Sequence, residues 1–119
     1  MSEPQTYSGG CHCGEVRYRA TASLDRVIAC NCSICTKHGL LLTFVGEKDF
    51  ELVSSQDSLT SYRFNTKRID HLFCAACGVE SFARGTAPDG SRMVAVNVRC
   101  LDGVDPAALA LTPFDGKSL

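Results

Sequence analysis

The sequence predicts a mainly β fold with at most one short helix. Three observations carry this: short apolar–polar alternations recur along the chain, turn residues separate them, and no window of about eleven residues sustains an apolar stripe at helical spacing. With 119 residues, 45% hydrophobic and 21% charged, the chain suits one domain over residues 1–119 with a modest core.

The first strand is predicted over 15–20, Glu-Val-Arg-Tyr-Arg-Ala, where Val16, Tyr18 and Ala20 fall on one side. Further strands are predicted over 27–29, 40–45, 50–53, 59–65, 71–73, 79–84 and 93–98. Gly9-Gly10, the stretch from Ser54 to Ser58, and Ala87-Pro88-Asp89-Gly90 read as turns, Pro presetting φ and Gly permitting positive φ. The one helical signal is Asp105-Pro106-Ala107-Ala108-Leu109, with Asp as N-cap and Pro at the first helical position.

Twelve Lys and Arg stand against thirteen Asp and Glu, a net charge of -1. Such a balance supplies no field to hold a nucleic-acid backbone or an anionic membrane surface, so neither is expected as a partner. The longest apolar run, 40–45, is about a third of the ~20 residues a membrane helix needs, and the amino terminus lacks a signal-peptide core, so a cytoplasmic chain is expected.

Eight cysteines, at 11, 13, 30, 32, 35, 74, 77 and 100, carry most of the chemical information. In a reducing compartment, close spacing favours metal ligation over disulfides. The alternative is a four-bridge disulfide scaffold, but Cys-x-Cys and Cys-x-x-Cys pairs seldom bridge, and a chain of this length needs no staples. Around Cys74 and Cys77 the sequence reads Phe-Cys-Ala-Ala-Cys-Gly, a zinc knuckle in which two thiolates bracket a tight turn and Gly78 takes positive φ. A tetrahedral zinc needs two more ligands, and Cys11 with Cys13 is the natural second half. Such a zinc is a cross-link, and chelation is predicted to unfold or soften the domain.

Cys30, Cys32 and Cys35 differ, because three thiolates within six residues occupy three corners of one tetrahedron and leave the fourth open. Three protein ligands plus an exchangeable position is the logic of a catalytic zinc, and a soft thiolate suits the vacancy. The expected guest is a small thiol. Alternatively Cys100 or His38 closes this site, making both zincs structural and the protein a binding module. His38, between Lys37 and Gly39, otherwise reads as a solvated turn residue, and Cys100 as a small buried hydrophobe. His12 and His71 receive the same ordinary reading.

The sequon Asn31-Cys32-Ser33 is read as chance. Arg63, Lys67 and Arg68 form the one basic cluster, with Tyr62 and Phe64 interleaved; this reads as a charged strand face, or as the place where an anionic peptide thiol would set its carboxylates. No phosphate-cradling loop or Ser-His-Asp set is present, and no residue is marked out as a general base.

Gly-Gly-Cys-His-Cys-Gly at 9–14, Cys-Asn-Cys-Ser-Ile-Cys at 30–35, Phe-Asn-Thr at 64–66, His-Leu-Phe-Cys-Ala-Ala-Cys-Gly-Val at 71–79, Cys100-Leu101-Asp102 and Phe114-Asp115-Gly116 together resemble the glutathione-dependent formaldehyde-activating enzyme family, in detail its centromere protein V-like branch. The resemblance implies an Mss4-like β fold, a structural zinc on Cys11, Cys13, Cys74 and Cys77, and a catalytic zinc on Cys30, Cys32 and Cys35. It also implies an activity, the joining of formaldehyde to glutathione as S-hydroxymethylglutathione, classed as a carbon–sulfur lyase reaction. Two other functions fit the same cysteines: a non-catalytic zinc module for a protein partner, and a thiol or metal carrier.

Overall fold

A computed structural model describes residues 3–54, 56–63, 69–87 and 89–115. Ser55, Pro88 and Gly116 lie outside the described residues, as do Phe64, Asn65, Thr66, Lys67 and Arg68, and with them part of the predicted strand over 59–65 and of the basic cluster. Among the described residues ten strands form two sheets. The smaller runs β1 (Gln5–Gly10), β2 (Arg17–Ala22), β5 (Phe50–Leu52), in that order. The larger has seven strands in the order β10 (Leu111–Phe114), β3 (Val27–Cys30), β4 (Leu42–Gly46), β9 (Arg92–Asn97), β8 (Glu80–Thr86), β7 (Asp70–Cys74), β6 (Leu59–Tyr62). No helix among the described residues is long and apolar enough to cross a membrane.

The alternation at 15–20 does what it predicts. Val16, Tyr18 and Ala20 are at most 1% exposed and press the small sheet onto the large one. Tyr18, Phe50 and Phe82 meet with ring centroids 4.7 to 5.7 Å apart, and the Arg84 guanidinium covers the two phenylalanines. Val94 and Val96 of β9 and Val45 of β4 complete this face of the large sheet.

Residues of opposite parity form a second, smaller apolar layer on the other face. There Leu42 and Ala95 pack under Ile34 and Cys35 of α1 (Ser33–His38) and under Leu40. Among the described residues the one α-helix is thus at 33–38 and not at 105–109. At the latter site Asp105 caps as predicted, its Oδ1 accepting the Ala107 N–H at 3.0 Å, but the turn is a single 3₁₀ turn, Pro106–Ala108. It stops there because the chain straightens almost at once into β10, which pairs in parallel with β3.

Two strands escape the sequence reading. β1 contains Gly9-Gly10, which reads as a turn but sits in register with Tyr18 and Arg17. These glycines serve close approach: a Cβ on Gly10 would lie 2.0 Å from the Val16 carbonyl oxygen, and one on Gly9 2.7 Å from that of Cys100. β10 carries Pro113 and is exposed throughout, as an edge strand permits. Its end reaches the cysteine loop, with the Asn31 N–H bonded to the Phe114 carbonyl at 3.1 Å and the Asn31 amide to Asp115 Oδ1 at 2.9 Å.

The segment after β9 is clipped against the hairpin of β1 and β2 by the Arg17–Asp102 ion pair at 2.5 Å. Its hydrogen bond from Arg17 holds the Asp102 carboxyl below the usual 3.8. The stabilisation is therefore present above pH 3.8 and is lost as pH falls through the lower folded value. Both side chains are more than a third exposed, so Asp102→Asn should cost less than about 1 kcal/mol at neutral pH and nothing in strong acid, read from urea midpoints at the two pH values.

Candidate active site

Two groups of thiols assemble, with the membership that spacing predicts. In the first, the loop after β1 brings Cys11 and Cys13 to the loop after β7, which carries Cys74 and Cys77, and all four sulfurs lie within 4.8 Å of one another. The Cys11–Cys13 and Cys13–Cys74 sulfur distances are 3.6 and 3.5 Å, close to the edge of about 3.8 Å of a tetrahedron built on zinc–sulfur bonds of about 2.3 Å. Backbone N–H groups already face the sulfurs: Ala76 and Cys77 donate to Cys74 Sγ at 3.3 and 3.4 Å, and Val16 donates to Cys11 Sγ at 3.3 Å. Gly78, at φ 83°, closes the knuckle as its sequence suggests, its N–H bonding the Cys74 carbonyl at 2.9 Å. The N–H groups of Val79 and Cys13 lower the Cys77 thiol to about 6, so this corner supplies thiolate near neutral pH. The donor set fits zinc.

The second group sits where β3 gives way to α1. Cys30 ends the strand, Cys32 is the N-cap, and Cys35 lies in the helix and is buried. Burial opposes the Cys32 thiolate, but the N–H groups of Cys35 and Ile34 together with the neighbouring thiols outweigh it and lower its pKa. Burial and the two adjacent sulfurs push Cys35 the other way. These three sulfurs also lie within 4.8 Å of one another, and no fourth Cys, His, Asp or Glu among the described residues joins them. His38 Nδ1 is turned to Glu80 Oε1 at 2.7 Å, and Cys100 Sγ rests 3.9 Å from the Glu80 carbonyl.

A cavity of about 510 Å³ is lined by residues that neighbour both groups in sequence. Its wall includes Ser33, Ile34, Lys37 and His38 from α1, Phe73 and Gly78 on either side of the knuckle, and Tyr62. This is the size of a small-molecule site, mostly apolar with a few polar groups. Arg63, expected on a charged strand face, pairs with Asp70. His12 is exposed and outside both groups.

Three features escape the sequence reading. α1 has six residues, two of them β-branched, too few for a periodic stripe; the readable signal was basic Lys37 and His38 followed by Gly39, which caps the helix at φ 66°. His38 is exposed, as read, but it ends that helix rather than sitting in a turn, and its Nδ1 meets a buried carboxylate. Glu80, only 2% exposed at its side chain, also bonds His71 Nδ1 at 2.9 Å, and His71 is itself buried. An acidic residue at the head of the apolar run 79–84 was the available signal for it.

Comparison with known proteins agrees with this architecture. A crystal structure of a Rhodobacter sphaeroides protein is 30% identical to the chain and superposes with a TM-score of 0.79, covering 89% of this chain and 97% of that one. The family description that matches, over residues 6–113, is that of the glutathione-dependent formaldehyde-activating enzyme. With that match spanning both thiol groups and the cavity wall, the chain belongs to the glutathione-dependent formaldehyde-activating enzyme family.

Proposed function

We propose that this chain, as one cytoplasmic domain, joins the thiol of glutathione to formaldehyde, and runs the reverse cleavage, in the cavity beside Cys30, Cys32 and Cys35. The carrying observation is that these three sulfurs converge without a fourth protein ligand among the described residues, and that Ser33 and Ile34, which lie between Cys32 and Cys35, are part of the cavity wall. Cys11, Cys13, Cys74 and Cys77 would hold a structural zinc, closed by four thiolates. A zinc held by the three-cysteine group would supply Lewis acidity at an exchangeable position, where a thiol loses its proton near neutral pH.

The chain's own residues supply the rest. The N–H groups at the start of α1 favour the anionic form of Cys32 and so prepare the group for a cation. Ile34 and Phe73 keep the cavity apolar, which strengthens every electrostatic contact inside it. Lys37 puts a cation in the wall, suited to a carboxylate of a peptide thiol.

The test is the rate of S-hydroxymethylglutathione formation, followed by NMR, for wild type and Cys32→Ser at matched zinc content. Lowering a thiol pKa from about 8.5 to about 7 raises its thiolate fraction at neutral pH about fifteenfold, so the variant should be slower by at least about that factor. Equal rates would show that the three-cysteine group does no chemistry.

A further inference from the structure

We infer that His38, Glu80 and His71 form a proton relay on the cavity wall, in which His38 takes the thiol proton and returns it to the aldehyde oxygen. The inference rests on the thiol–aldehyde reading above and adds to it the missing acid–base group.

A carboxylate with 2% exposure is costly to bury unless it is fully bonded, and among the described residues no Lys or Arg pairs with Glu80. Its two oxygens go instead to two imidazoles, Oε1 to His38 Nδ1 at 2.7 Å and Oε2 to His71 Nδ1 at 2.9 Å. A merely structural position under α1 would accept an apolar side chain, so an ionisable one needs another reason.

The strand is bent to put it there. In an unbroken β8, Glu80 would share the core face with Phe82. The register jumps from Leu72↔Phe82 to Phe73↔Glu80, leaving Ser81 as an extra residue, and this bulge turns Glu80 to the α1 side, opposite the cavity residue Phe73. Of the three relay members, His38 is the one that lines the cavity, its side chain 40% exposed.

A carboxylate accepting from Nδ1–H fixes the imidazole tautomer and leaves the Nε2 lone pair as the base. The reaction then balances within the site. The S–H proton moves to His38 Nε2, the sulfur electron pair forms the S–C bond, the C=O π pair moves to oxygen, and His38 returns the proton there. Glu80 stabilises the imidazolium between these two transfers, and His71 holds Glu80 in place. Both are positioning residues.

The test uses zinc-loaded full-length protein. In wild type, the ¹⁵N shifts of neutral His38 should report the Nδ1–H tautomer, and in Glu80→Gln the tautomer population should move toward Nε2–H. His38→Ala, at matched zinc content, should form S-hydroxymethylglutathione about a hundredfold more slowly, and added imidazole should speed this variant but not wild type. An Nε2–H tautomer in wild type overturns the relay without any variant. So does a wild-type rate in His38→Ala while Cys32→Ser is slow, an outcome that leaves the thiol–aldehyde reading standing. A wild-type rate no faster than that of formaldehyde and glutathione alone overturns both.

Discussion

Cys74→Ser should remove most of the folding stability, a loss on the order of 5 kcal/mol or more. Cys74 is 1% exposed, ends β7 inside the main core, and is the sulfur on which the Ala76 and Cys77 N–H groups converge. A structural zinc contributes about 10–16 kcal/mol of binding free energy that is present only in the folded chain, which rivals the whole stability of an ordinary domain. Thermal melts followed by circular dichroism should therefore place the variant and chelator-treated wild type on nearly the same low curve. Cys32→Ser should melt close to untreated wild type, because its group packs against the small outer layer and not the main core. A wild-type melting temperature unmoved by a strong chelator would refute a structural role for the first group.

Gly10→Ala is the second large effect. The added Cβ would stand 2.0 Å from the Val16 carbonyl oxygen, which is backbone and has no rotamer to retreat into. That same carbonyl accepts the Cys11 N–H at 3.1 Å, so relieving the clash pulls apart the turn that presents Cys11 and Cys13. We expect a loss of about 3 kcal/mol or more and weaker zinc retention, measured by the urea midpoint and by competition with a chromophoric chelator. Gly14→Ala is the control. Its site has nothing within 4 Å of a Cβ, so only the strain of its φ of 87° is added, about 1 kcal/mol.

Local signals were readable in the sequence, and signals that arise between elements were not. The strand of Val16, Tyr18 and Ala20 declares itself because one face is wholly buried, and the thiol groups declare themselves because ligand spacing is a property of a few consecutive residues. β10 has no buried face, so alternation leaves no mark on it. β1 ends in two glycines whose purpose is visible only once Val16 and Cys100 lie against them. Helix α1 is held by the packing of Ile34 and Cys35 on Leu40 and Leu42 and by the Gly39 cap more than by propensity. Glu80 is the plainest case. Its direction depends on a bulge created by the pairing of β7 with β8, and its partners come from residues 38 and 71, so nothing adjacent in the sequence announces them.

The parallel pairing of β10 with β3 bears on how the chain matures on the ribosome. Cys30, Cys32 and Cys35 emerge early, yet the neighbour that bonds Asn31, in the middle of their loop, is Phe114. At about 5–20 residues per second, translation leaves those thiols without that support for several seconds while residues 36–114 are made. The knuckle at Cys74 and Cys77 is synthesised well before then, so the first thiol group has all its members while the loop of the second still lacks its β10 neighbour.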